Sequence, residues 1–99
     1  MIVLITNEAR EDLDRIAGYI AQDNPVRAVS FVQELLEGCR SLSAMPHAFP
    51  LVPRHAASGI RRRPHGRYLI FYRVAAERID VLHILNGAQD YEDILFPGD

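Results

Sequence analysis

Apolar residues recur along this chain in two rhythms, and the change from one to the other divides it. Residues 1–5 form an unbroken apolar run in which Ile2, Val3 and Ile5 are β-branched, the composition of a buried strand. Thr6 or Asn7 then offers a capping side chain, and Glu8, Glu11 and Asp12 follow where carboxylates face the positive end of a helix dipole. Ala9, Leu13, Ile16, Ala17 and Ile20 fall on one helical face, which predicts a helix ending near Gln22. Asn24 and Pro25 open another: a capping side chain, then proline at a position whose N–H would have no partner. Val29, Val32, Leu35, Leu36, Cys39 and Leu42 supply its apolar stripe. Only Asp23 and Asn24 lie between the two helices, so they must fold back as an antiparallel hairpin.

The second rhythm is shorter. Pro46, Pro50 and Pro53 forbid regular structure across residues 45–53, while Met45, Phe49, Leu51 and Val52 keep that stretch apolar. Residues 60–63 read as a short strand, and 68–74 and 79–85 as longer ones, joined by a gap suited to a hairpin turn. Gly87 ends the last strand, and residues 90–96 predict one closing helical turn before Pro97. Helices grouped before hairpin-linked strands indicate one α+β domain over residues 1–99, in the order β-α-α-β-β-β, with the helix pair on one face of a small sheet.

Charge sharpens this picture. The net charge of −2 conceals a basic middle: residues 38–76 carry seven arginines and no acid, a charge of +7, against −4 for residues 1–37 and −5 for 77–99. All 11 basic residues are arginine. Arginine's planar fork suits carboxylates and phosphates, although biased codon usage yields the same composition. The single cysteine, Cys39, excludes an internal disulfide and a cysteine-based zinc cluster, and its place in an apolar stripe marks it as a small buried hydrophobe. The apolar opening is too short for a signal-peptide core and lacks a basic leader, so the expectation is a cytoplasmic protein away from membranes. His47, His55 and His65 have no close second ligand in sequence, so no metal site is expected. Tyr19 reads as packing, and Tyr68 and Tyr72 as sheet residues.

Several segments carry a family resemblance. A-R-E-D-L-D-R-I-A-G-Y-I-A at residues 9–21 is followed by D-N-P at 23–25 and F-V-x-x-L at 31–35. I-R-R-R-P-H-G-R-Y-L-I-F-Y-R-V then occupies 60–74, and I-D-V-L-H-I-L-N-G-A-Q-D-Y occupies 79–91. In this order they resemble ParE toxins of the RelE/ParE type II toxin–antitoxin superfamily. The resemblance implies a helical hairpin packed on a small twisted, mainly antiparallel sheet. It also implies a ParD-like antitoxin, encoded beside the toxin, whose C-terminal segment folds onto it. Operator DNA is reached only through the antitoxin's ribbon–helix–helix part. The implied activity is inhibition of DNA gyrase without a cofactor. The rival reading is that of the RelE relatives, which cut messenger RNA on the ribosome; a third is a non-toxic module kept for complex formation and operator control.

A metal-free ribonuclease needs a base, an acid and cations around the scissile phosphate. RelE-like nucleases begin their long strand R-L-V-Y, whereas this chain has Leu69 at the arginine's place and Gln89 where those enzymes carry another arginine. Removing one charge-stabilising group costs about 2.7–4 kcal/mol of transition-state stabilisation, so two departures argue against a nuclease and no catalytic residue is assigned. Where ParE sequences often read I-L-H-G-A-R-D, this one reads I-L-N-G-A-Q-D, with Asn86 and Gln89 as departures.

The candidate antitoxin- or target-binding residues begin with Arg61, Arg62 and Arg63, which alternate faces if they lie in a strand. They grip phosphates or acidic side chains, or else guard an edge strand, with one of them expected to be structural. Arg67 belongs to the same basic stretch. Arg73 is expected either to pair with Asp80 across the hairpin or to point outward, and His83 either to be a hydrogen-bonded sheet residue or to stand beside Arg73 on an open face. Asn86, Gln89 and Tyr91 complete the last strand and C-terminal turn, the part expected to face the target. Phe49 and Leu51 either cover the core or border a groove for the antitoxin. Residual nuclease chemistry would fall to Arg73, His83 and Tyr91.

Overall fold

The structure is a computed structural model that describes residues 1–98. The opening apolar run forms strand β1 (Ile2–Ile5). Thr6 ends it and caps helix α1 (Asn7–Ala21), its hydroxyl accepting the Ala9 N–H at 3.2 Å. Asn24 caps α2 (Pro25–Ser41) in the same way through the Arg27 N–H at 3.0 Å, with Pro25 at the start. Two 3₁₀ turns, Leu42–Ala44 and Ala56–Ser58, flank the proline-rich connection. Then come β2 (Ile60–His65), β3 (Tyr68–Ala75), β4 (Arg78–Asn86) and the short helix α3 (Tyr91–Leu95). β2 extends past residue 63 and includes Pro64, which an edge strand tolerates because one missing ladder donor leaves the core pairing intact.

The sheet order is β1-β4-β3-β2, with β2, β3 and β4 antiparallel and β1 parallel to β4. The architecture is the α+β fold expected, a helical hairpin on a small mixed sheet. The helical hairpin covers one face, where Ala9, Leu13, Ile16, Leu35, Cys39 and Leu42 meet Ile70, Tyr72, Ile79, Val81 and Ile84. Leu35, Ile70 and Ile84 are fully buried, and each such side chain contributes about 1.5–3 kcal/mol of hydrophobic stabilisation. Gly38 lets α2 lie close on β3: a Cβ there would stand 3.2 Å from Ile70 Cδ1. The predicted stripe of α2 shifts at its start, for Val29 is 61% exposed while Ala28 is buried in its stead. The seat of α2 thus runs through Ala28, Leu35, Cys39 and Leu42. Burial pushes the Cys39 thiol up to about 11, which leaves it protonated and inert at neutral pH.

A polar network closes the edge of β4 where β1 stops. The Thr6 hydroxyl donates to the Val81 carbonyl at 2.7 Å, and six residues further on Asp12, only 4% exposed, takes the place of a missing strand. Its Oδ2 accepts the Ile84 N–H and lies 2.8 Å from His83 Nδ1, while its Oδ1 accepts Arg15 Nη2 at 2.8 Å. The strand is irregular at the same place. Phe71 pairs with His83 but Tyr72 with Val81, so Leu82 is an extra, bulged residue. The bulge lets Val81 and Ile84 both face the helices although three positions separate them.

The opposite face is closed differently. Val52, Ile60, Phe71 and Leu85 are buried there beneath Tyr91, Leu95 and Phe96. Glu92 of α3 clasps Arg54 Nη2 at 2.7 Å and His55 Nε2 at 3.0 Å, and the His55 ring stacks on Phe96 at 3.8 Å. Hydrogen bonds from His55 and Arg54 hold the Glu92 carboxyl below the usual carboxylate range.

Candidate binding cleft

The three consecutive arginines of β2 are all engaged within the chain. Arg61 and Arg63 turn toward the helices and the proline-rich loop, as alternation demands. Arg61 donates to the Phe49 carbonyl at 2.7 Å, fastening that loop, and Arg63 donates to the Ser41 hydroxyl at 2.7 Å with its guanidinium 4.9 Å above the Phe49 ring. Arg62, on the other face, donates to the Tyr91 hydroxyl at 2.7 Å. One structural arginine was expected, and the strand holds three. Phe49 packs against the helix-side core and so helps to cover it, while Leu51 ties the loop to β2 through an isolated backbone bridge to Arg61.

Arg73 and Asp80 are register partners on adjacent strands, yet they do not pair. Asp80 Oδ1 lies 2.8 Å from Arg78 Nε, two residues away on its own strand, and Arg73 Nε donates to the Ser58 carbonyl at 3.0 Å. The left-handed Gly59 (φ 74°) turns the chain into β2 beside Arg73 and brings that carbonyl within reach. His83 is the hydrogen-bonded sheet residue, held by Asp12 and not standing beside Arg73. Arg73, His83 and Tyr91 therefore face Ser58, Asp12 and Arg62 respectively, and no shared focus joins them.

The remaining candidates meet elsewhere. At the closed end of the β2–β3 hairpin, a cleft of about 580 Å³ opens between the two helices and the ends of β3 and β4. Ile16, Ile20, Phe31 and Ile84 give it an apolar floor, and Tyr19 and Tyr68 add aromatic walls. Arg15, Arg27 and Arg67 stand around it with Asn86 and Gln89. Helical spacing makes the helix contribution: Arg15 and Tyr19 are one turn apart on α1, as are Arg27 and Phe31 on α2. Arg27 lies 5.1 Å above the Phe31 ring and is bonded to Glu34, whose pKa it lowers. Three of the sequence-derived candidates, Arg67, Asn86 and Gln89, thus come together here. Arg15, Tyr19, Arg27, Phe31 and Tyr68 join them without having been singled out for binding. Tyr19, read from the sequence as packing, is instead 69% exposed at the wall of this cleft.

The turn after β4 fixes its two amides. Asn86 Oδ1 accepts the Ala88 N–H at 2.9 Å, and Gln89 Oε1 accepts the Asn86 N–H at 3.0 Å. Each oxygen accepts one backbone N–H and keeps a second lone pair, and among the described residues the NH₂ group of each has no hydrogen-bond partner. Among the described residues no cluster of three or more histidine, cysteine or acidic side chains is placed to hold a metal ion. No described helix is long and apolar enough to cross a membrane.

A helical hairpin seated on a four-stranded mixed sheet is a fold shared with chains of toxin–antitoxin complexes. It is similar to a chain of the chromosomal ParDE toxin–antitoxin system of P. aeruginosa, with a TM-score of 0.74 and 25% identity over 87% of this chain and 95% of that one. A chain of the RelBE2 toxin–antitoxin complex of Mycobacterium tuberculosis shares the fold at a TM-score of 0.64 and 24% identity, over 86% of this chain and 95% of that one. Among curated proteins none matches. Residues 3–91 match the family described as the ParE toxin of the type II toxin–antitoxin system parDE, and the chain belongs to that family.

Proposed function

We propose that this type II toxin acts by binding DNA gyrase and arresting supercoiling, that it does so without catalysis or a cofactor of its own, and that a ParD-like antitoxin neutralises it. The observation that carries this reading is where the reactive side chains go. A phosphodiester-cleaving site needs a base, an acid and a cation around one reacting phosphate. In this chain the imidazole of His83 is held by a buried carboxylate, Arg73 is bonded to a backbone carbonyl, and the Tyr91 hydroxyl is occupied by Arg62. Breaking a strand would require all three to be released and brought together. Holding a large partner requires only surface.

The test is a supercoiling assay with purified toxin and gyrase. Loss of supercoiling that returns when antitoxin is added is the expected result. Unaltered supercoiling together with site-specific cleavage of ribosome-bound transcripts would sink the proposal in favour of a nuclease. If induced expression leaves growth untouched, the chain serves complex formation and operator control instead.

A further inference from the structure

We propose that the cleft at the hairpin end is a binding site for a free nucleoside monophosphate, with the phosphate on the arginines and the base among the aromatic rings. The inference goes beyond the gyrase reading and does not depend on it. It starts from a charge imbalance. The chain carries 13 acidic residues against 11 arginines, yet three arginines and no carboxylate line this recess. Arg15 and Arg27 are oriented by Asp12 and Glu34, which lie outside the lining. Arg67 pairs with no carboxylate among the described residues, so its charge stands uncompensated at the cleft. One such guanidinium matches one phosphate group, because its planar fork meets two phosphate oxygens at once.

The remaining lining suits a flat ring with a polar edge. Phe31 and Tyr68 stand 5.6 Å apart, centroid to centroid, and Tyr19 adds a third ring that is 69% exposed. Rings of this kind stack on heteroaromatic bases. Asn86 and Gln89 supply recognition of the base edge. Each keeps one acceptor lone pair and an NH₂ without a partner among the described residues. A donor beside an acceptor is the pattern that an amide presents to adenine. About 580 Å³ is the size of a small-molecule site.

Simpler ligands use only part of this lining. Inorganic phosphate leaves the rings and the floor of Ile16, Ile20 and Ile84 uncovered, and an aliphatic chain leaves the arginines and amides unmatched. A nucleic-acid strand brings a phosphate on either side of each base, whereas only one arginine here lacks a carboxylate partner. A single nucleotide meets every part of the lining.

The probe is adenosine 5′-monophosphate, titrated into the purified chain by calorimetry. Saturable binding with a Kd below about 1 mM is expected, and inorganic phosphate should bind at least about 10-fold more weakly. Tyr19→Ala and Arg67→Glu, both at exposed side chains, should each weaken the nucleotide about 10-fold with unchanged thermal melting. Arg10→Glu, on α1 but outside the cleft lining, should change little. In NMR spectra the side-chain NH₂ signals of Asn86 and Gln89 should move on addition of nucleotide, while that of Asn7 at the far end of α1 stays in place.

Binding of the nucleotide weaker than about 1 mM would overturn the assignment. Phosphate that binds as tightly as the nucleotide would do the same, since it would mean attraction of anions only. An equal loss in Arg10→Glu would replace the site by diffuse charge, and undiminished binding in both cleft variants would place it elsewhere. A short oligoadenylate that binds about 10-fold more tightly than the mononucleotide would sink the proposal in favour of a strand.

Discussion

Arg61, Arg62 and Arg63 on β2 and Arg67 in the turn that follows belong to one basic stretch, yet the structure uses them in opposite ways. The strand arginines are densest in sequence and are all hydrogen-bonded inside the chain, to the Phe49 carbonyl, the Tyr91 hydroxyl and the Ser41 hydroxyl. Arg67 is alone in sequence and stands at a cleft whose other donors come from α1, α2 and the end of β4. The difference lies in what surrounds each guanidinium. A strand between a proline-rich loop and a C-terminal helix meets unpaired carbonyls and hydroxyls that need donors, whereas a two-residue turn at the sheet's end meets solvent. Density of charge marks where a chain holds itself together as readily as where it holds something else.

Four substitutions test that division, and the first lies at its structural extreme. Asp12→Ala should cost about 3–5 kcal/mol, because the buried Ile84 N–H and His83 lose their acceptor together. Urea denaturation measures it, and a loss below about 1 kcal/mol would show that α1 does not depend on this lock. Arg61→Ala should cost about 1.5 kcal/mol through the freed Phe49 carbonyl, with faster amide exchange in residues 47–52. A stability equal to the wild type would move Arg61 to the outward-facing group.

A third test uses pH. The depressed pKa of Glu92 means that its clasp stabilises the fold above the unfolded carboxyl pKa of about 4.5, and that this stability is lost as pH falls through the lower folded value. Glu92→Gln should therefore melt below the wild type at neutral pH, and the two curves should merge once the pH lies well below the folded pKa of Glu92. A gap that persists in acid would mean that packing of α3, and not the charge, carries the difference. The smallest effect is expected of Arg67→Ala, within about 0.5 kcal/mol of wild-type stability. A larger loss would place Arg67 with the strand arginines.

Much of this was legible in the sequence, and the limit has a physical cause. The helical hairpin followed from Asn24-Pro25 and two apolar stripes, and β3 and β4 from their branched and aromatic runs, because these features are local. Asp12 was read as a first-turn carboxylate facing the helix dipole, although its position between Ala9 and Ile16 put it on the buried face. Its true role depends on where β1 stops beside β4, which no local pattern encodes. The bulge at Leu82 was hidden because V-L-H-I-L keeps an apolar look in either parity. The partners of Arg61, Arg62 and Arg63 lie 12, 29 and 22 positions away, and the cleft draws on four separate stretches of chain, in α1, in α2, at the start of β3 and at the end of β4. Both are products of tertiary packing.

Cys39 gives the molecule a native gauge of its own breathing. The sole thiol lies fully covered between α2 and the sheet, and its high pKa suppresses the reactive thiolate. A disulfide reagent can reach it only when the hairpin lifts from the strands, so the labelling rate reports how often that happens without any engineered tag. Slower labelling on addition of antitoxin would read out, from inside the core, the grip of a partner bound at the surface.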